Sequence, residues 1–178
     1  MKLKSSKTKT ISVGALGDYL IVNMKAFDAA SALYNLTAVA VSASTPIPTD
    51  AYNSMRRQYD GGRILSLLAG KRAGKADYRL FVTDVDIYSE RSKFVFGVAD
   101  PKSRIAVISV RRLSSDNASR ALERTMKEAA HEIGHLVGLG HCLNSTCLMS
   151  FAPDVFAVDR KLPMLCPDCL AILNNRPD

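Results

Sequence analysis

The sequence predicts a mixed α/β chain: five short strands in one mixed sheet, helices covering it, and a small irregular C-terminal region. Three observations carry this prediction. Strand-length apolar or alternating runs are interspersed with segments of helical period. The longest helical period, residues 117–139, comes after the last of these strands. Beyond Gly140 the periodicity stops, and all four cysteines follow there. Strand, helix, strand, helix and then three strands is the order of a mixed sheet with helical cover.

Residues 11–17 (ISVGALG) read as a buried strand ending in a glycine turn. Asp18 is placed to cap a helix in which Leu20, Met24, Phe27 and Ala30 recur at helical spacing, closed by Asn35. Residues 37–42 (TAVAVS) form a second strand, and Pro46-Ile47-Pro48 is a stiff connector. A helix is expected over residues 50–59, broken by Gly61-Gly62, with another over 63–68. Residues 78–88, 94–99 and 105–110 supply three more strands. In residues 117–139, Leu122, Met126, Ala130, Ile133 and Val137 make one apolar stripe, with Asp116 or Asn117 as N-cap.

A length of 178 residues suits one catalytic domain, here read as a subdomain over residues 1–139 and a smaller one over 140–178. Apolar residues at 47% and charged residues at 23% describe a folded chain, not a disordered one. No apolar run reaches the length of a membrane-spanning helix, so no membrane partner is expected. Lys2 and Lys4 resemble the start of a secretory signal, but the apolar stretch that follows, residues 11–16, is too short and is closed by Gly17-Asp18. The expected location is the cytoplasm. Of the net +7 charge, Lys2, Lys4, Lys7 and Lys9 belong to one solvated tail. With no Trp and 7% aromatics, the interleaved basic and aromatic face of a nucleic-acid binder is missing. GKRAGK at residues 70–75 lacks one residue of a phosphate loop's glycine spacing and its Ser or Thr, so it reads as a turn. The acceptor patterns at Asn35, Asn117 and Asn144 have no meaning without a route to secretion.

The chemistry is concentrated near the end of the chain. All three histidines, His131, His135 and His141, lie within one short segment, and Cys142, Cys147, Cys166 and Cys169 follow directly. His131 and His135 are one helical turn apart and share a face, close enough to bind one ion. The apolar stripe points elsewhere, so the imidazoles are expected to project away from the core. Glu132 is turned roughly 100° from His131, out of reach of direct ligation but within reach of a water bound there. This is two ligands plus a general base. Gly138 ends the helix and lets the chain turn back, bringing His141 to the third ligand position. Three imidazoles leave a fourth zinc position open, the catalytic arrangement.

HEIGHLVGLGH matches the metzincin pattern H-E-x-x-H-x-x-G-x-x-H, and Met149 is the candidate for the methionine turn beneath the zinc ligands. The continuation HCLNSTCLM, with CPDC at residues 166–169, resembles the archaemetzincin family specifically. The resemblance implies a metzincin-like fold with a mostly parallel sheet, a zinc-dependent peptidase activity on peptide or protein substrates, and two zinc ions per chain. Residues 94–99 resemble the edge strand along which such enzymes lay their substrate.

Successive side chains of an extended segment point opposite ways, so His141 faces the catalytic ion and Cys142 a second one. With Cys147 and the Cys166–Cys169 pair it completes a closed four-thiolate site, expected to be structural. Disulfides are the competing reading, since Cys142 and Cys147 are far enough apart in sequence to pair. Where astacin-like and serralysin-like enzymes carry a tyrosine two residues past the turn methionine, this chain has Phe151. Oxyanion stabilisation then falls to zinc and backbone donors, and slow turnover is expected. Two other functions use similar residues. Metal-dependent ribonucleases with H-x-x-x-H-x-x-G-x-D-H lack Glu after the first His and carry Asp before the last, where this chain has Glu132 and Gly140. A non-catalytic zinc module has no need of a base at Glu132.

Overall fold

The computed structural model describes residues 8–21, 23–70 and 74–176. Lys2, Lys4, Lys7, Lys71 and Arg72 lie outside them. The main sheet has five strands: β1 (Thr10–Leu16), β2 (Thr37–Thr45), β5 (Tyr78–Thr83), β8 (Gly97–Asp100) and β9 (Ile105–Ser109). Their order is β2-β1-β5-β9-β8, with every pairing parallel except that of β8 with β9. β9 is buried along its whole length and alternates between two cores, as the two-residue period of a covered strand requires. Ala106 and Ile108 face α1 (Lys25–Ala32) and α3 (Ala118–Leu136), whereas Ile105 and Val107 face α2 (Gly61–Ala69). The five-stranded, mostly parallel sheet expected from the sequence is the one found.

Several local expectations differ. The first helix begins at Lys25, not after Asp18, and the Asn23 side chain accepts from the Lys25 N–H at 2.8 Å. Residues 50–59 are not a helix. A single 3₁₀ turn at Thr49–Ala51 leads into β3 (Tyr52–Asn53) and β4 (Gln58–Asp60), which pair antiparallel. Local turn chemistry decides this: Asn53 Oδ1 accepts from the Arg56 N–H, Arg57 has φ +54°, and the Tyr52 and Tyr59 rings meet across the hairpin at 4.9 Å. The segment 78–88 is likewise two strands. It leaves the main sheet after Thr83 and resumes as β6 (Ile87–Ser89) in a second sheet, ordered β3-β4-β6 and closed by β7 (Ser92–Val95). Asp86, at the break, is held by Arg112 at 2.6 and 2.7 Å and by Gln58 at 2.9 Å. Residues 94–99 also divide, between β7 (Ser92–Val95) of the small sheet and β8 of the main one. Phe96 at the junction is buried against Leu113 and Val158. Each break follows a side chain whose tertiary partner lies off the main sheet, which a local alternation pattern cannot register.

α3 has its N-cap at Asn117, whose side chain accepts from the Arg120 N–H. Leu122, in the expected stripe, is largely exposed, while Ala130 and Ile133 are fully buried. From Lys127 onward the helix is buried on nearly every face, because α1, the sheet and the C-terminal segment surround it. That segment carries two short helices, α4 (Val155–Arg160) and α5 (Pro167–Asn174), capped by Asp154 and by Cys166 with Pro167 at the first turn. Cys147, Leu148, Met149 and Leu165 pack into the same core as Ile133, so the C-terminal segment is continuous with the main core.

Candidate metal centre and active site

The buried half of α3 carries His131, Glu132 and His135 along a cleft of about 750 Å³ bordered by β8 on one side and residues 151–153 on the other. His131 and His135 line the cleft while Ala130 and Ile133 of the stripe lie in the core, yet His131 is only 5% exposed and Glu132 3%. The C-terminal segment folds over that face of the helix and buries His131 and Glu132, while His135 is half-buried and His141 exposed.

The helix stops as foreseen. Val137 is the C-cap, Gly138 takes φ +84°, and the Leu139 N–H reaches back to Gly134 O at 2.8 Å. A side chain at Gly138 would meet both this φ and the Arg176 guanidinium. The turn places Leu139 O 2.8 Å from His135 Nδ1, while Leu148 O lies 3.0 Å from His131 Nδ1. A carbonyl can only accept, so both Nδ1 atoms carry the hydrogen and both Nε2 atoms present lone pairs. Those two Nε2 atoms are 3.1 Å apart. His141 completes the group, its ring stacked on His131 at 5.3 Å and edge-on to His135 at 4.9 Å. One nitrogen from each ring lies within 4.8 Å of the others.

This arrangement passes a simple test of fit. Two lone pairs facing each other at hydrogen-bond distance repel unless a cation lies between them. Tetrahedral zinc with nitrogen ligands at 2.0–2.1 Å sets its ligands about 3.3 Å apart, close to the separation seen. Burial holds all three imidazoles below the ordinary histidine range, the neutral state that ligation needs.

The four cysteines also converge. Every Sγ lies within 4.8 Å of the rest, with Cys142–Cys166 and Cys147–Cys169 each at 3.7 Å. Disulfide sulfurs lie about 2.05 Å apart, and all four cysteines are free thiols. Zinc–sulfur bonds of 2.3 Å in a tetrahedron give edges of about 3.8 Å, so the set fits one ion. The Cys169 N–H at the start of α5 pulls the Cys166 thiol down to about 7, while burial pushes Cys142 and Cys169 up.

Met149 is fully buried. Its Sδ is 3.8 Å from the Tyr34 hydroxyl, which donates to Ala130 O at 2.7 Å. A Cβ at Gly134 would collide with Met149 Sδ and crowd the Tyr34 hydroxyl, so that glycine makes the space for the methionine. Phe151 is 57% exposed and meets His141 edge-on at 5.5 Å, offering no hydrogen bond.

Glu132 Oε2 is buried with no hydrogen-bond partner among the described residues. Burial, reinforced by Glu128 one turn earlier, raises its carboxyl well above the usual range, and Lys161 opposes this. Sequence reasoning missed Tyr34, Gly97, Glu128 and Lys161. Only Glu128 left a signal, four residues before Glu132 on the same helical face. The others reach the site from distant elements.

A helix bearing H-E-x-x-H beneath a mostly parallel sheet with one antiparallel edge strand, a returning third histidine and a buried methionine define a zinc metallopeptidase of metzincin type. The chain belongs to peptidase family M54, whose model matches residues 20–175. It is 39% identical over 171 residues to the archaemetzincin of Thermococcus kodakarensis, covering 89% of this chain and 90% of that protein. To the archaemetzincin of Methanopyrus kandleri it is 42% identical over 129 residues, covering 72% and 73%. The crystal structure of the Methanopyrus kandleri archaemetzincin superposes with a TM-score of 0.85 at 33% identity, over 97% of each chain. That of the Archaeoglobus fulgidus archaemetzincin, complexed with malonate, gives 0.76 at 33% identity over 91% and 98%. The protein is a zinc-dependent hydrolase of peptide bonds, and neither the ribonuclease nor the binding-module reading is favoured. No helix among the described residues is long and apolar enough to cross a membrane.

Proposed function

We propose that His131, His135 and His141 hold a catalytic zinc, that Cys142, Cys147, Cys166 and Cys169 hold a second, structural zinc, and that Glu132 is the general base of peptide hydrolysis. The observation carrying this reading is the pair of Nε2 lone pairs 3.1 Å apart, with both Nδ1 hydrogens committed to carbonyls. Bound zinc would supply Lewis acidity, polarising the scissile carbonyl and acidifying the attacking water. Glu132 Oε2, free of other partners, accepts that water's proton and later delivers it to the leaving amine. Leu148 O and Leu139 O hold the two helical imidazoles in one tautomer and one orientation. The extended substrate adds along β8, the antiparallel edge of the main sheet. Phe151 offers no donor at the position of the usual tyrosine, so turnover is slow.

Residues 1–139 and 140–178 are the two subdomains flanking the cleft. A four-thiolate site needs reduced cysteines, which suits the cytoplasm. The test is Glu132→Ala in a preparation free of contaminating peptidases. Both metals and the fold should remain while peptide hydrolysis falls on the order of 10²-fold or more. Undiminished activity in that variant would overturn the mechanism.

A further inference from the structure

Beside the histidines, the cleft holds a cation with no task in this mechanism. Lys161 lines it yet is only 2% exposed. Its amide closes α4 on Val158 O, which fixes the side chain's point of entry. The one hydrogen-bond contact of Nζ among the described residues is His131 Nδ1 at 3.5 Å, whose hydrogen already goes to Leu148 O. An ammonium has three donors and no acceptor capacity, so this one is unmatched. Among the described residues no carboxylate lies within ion-pair distance of it.

The titratable groups around it are Glu128, Glu132, Lys127, His131 and His135 on α3, with His141 and Cys147 from the segment beyond it. Lys127 is bound elsewhere, to Glu123 at 2.7 Å and to the carbonyls of Val158 and Asp159. Glu128 and Glu132 attract Lys161 but neither closes to contact with it. Burying a charge is costly unless it is paired and hydrogen-bonded. A lysine present only to offset Glu128 would be drawn into direct contact with it. The walls leading to it are apolar, with Phe94, Phe96, Ala152 and Pro153 lining the cleft.

We propose that Lys161 is a specificity-determining residue that takes a carboxylate of the peptide. The proposal rests on the peptidase reading and gives it a substrate class: peptides with an acidic side chain beside the scissile bond, or with a free C-terminal carboxylate close to it. The aliphatic part of that group lies on the apolar walls, and its charge meets Nζ.

The experiment measures binding calorimetrically on the zinc-loaded Glu132→Ala protein, so that turnover plays no part. Four short N-acetylated peptides are compared: Glu or Gln at the positions flanking the scissile bond, each as the free acid and as the C-terminal amide. A carboxylate peptide should bind at least about tenfold more tightly than its uncharged isostere, equivalent to about 1.4 kcal/mol. The Glu amide and the Gln acid separate side-chain from C-terminal recognition. Lys161→Met in the same background should erase the preference and leave the doubly neutral peptide unaffected. Equal affinities in the parent overturn the proposal without any variant, which also covers a Lys161→Met protein that fails to fold. A Lys161→Met loss spread equally over all four peptides means a structural role and overturns it too. If selectivity holds but the unsubstituted protein cleaves nothing, it is the peptidase mechanism that fails.

Discussion

Gly97, the first residue of β8, lies against the Glu132 side chain: a Cβ at Gly97 would sit 2.6 Å from both Cγ and Oε1 of Glu132. The edge strand and the proposed general base thereby touch, and only hydrogen at Gly97 leaves the carboxylate where it is. Gly97→Ala should push Glu132 off its position while leaving the metal ligands alone. Misplacement of a catalytic group by about 1 Å can cost on the order of 10²-fold, so kcat should drop at least about tenfold at unchanged zinc content. Steady-state kinetics with elemental analysis checks this, and an active Gly97→Ala enzyme would show that Glu132 has room to move.

The packing of Gly134 on Met149 gives a second expectation. Alanine raises helix propensity by about 1 kcal/mol in an exposed helix interior. Here the added methyl collides with Met149 Sδ and crowds the Tyr34 hydroxyl. Overpacking typically costs 1–3 kcal/mol. Gly134→Ala should therefore lower Tm, and Gly134→Ala with Met149→Ala should recover part of the loss. A rise in Tm from the single change would contradict the packing read here.

The two proposed metals should differ in lability. Freshly purified protein should contain two zinc ions per chain. A mild chelator should strip the three-histidine site and abolish activity with the fold intact. A thiolate zinc would tie the segment carrying Cys142 and Cys147 to α5, so its binding energy would be largely folding energy. Cys166→Ser should loosen the segment carrying Met149 and Leu148, whose carbonyl orients His131. Activity and affinity at the histidine site should then fall together, although Cys166 does not touch that site. Elemental analysis with free-thiol titration decides; one zinc and no titratable thiol after denaturation would mean disulfides.

Acid should unlock the C-terminal segment through Asp159. Arg124, whose side chain is 9% exposed, donates to it at 2.7 and 2.6 Å and holds its carboxyl below the usual aspartate range. A carboxyl depressed on folding stabilises the fold above its unfolded pKa of about 3.9, and that stabilisation is lost as pH falls through the lower folded value. Asp159→Asn should flatten the decline of stability below about pH 4, measured by urea unfolding across pH, and should lower stability at neutral pH by leaving Arg124 unpaired.

The sequence by itself determined the end of the helix at Gly138, five strand segments of the main sheet along the chain, and the two clusters of histidines and cysteines from which the metal ligands and the base are proposed. These are local quantities: spacing along a helix, a residue type that tolerates positive φ, and runs of strand period. The tertiary structure decided where strands 78–88 and 94–99 break, because Asp86 and Phe96 answer to Arg112 and Val158, far away in the chain. It also decided that His131 and Glu132 are buried, since the cover over α3 comes from residues after Gly140. Tyr34, Gly97 and Lys161 entered the site in the same way. Each is unremarkable in its own segment, and each acquires its role only when long-range packing sets it against His131, Glu132 or Met149. Periodicity reports which face of an element is buried, but the partner across the interface is chosen by the fold.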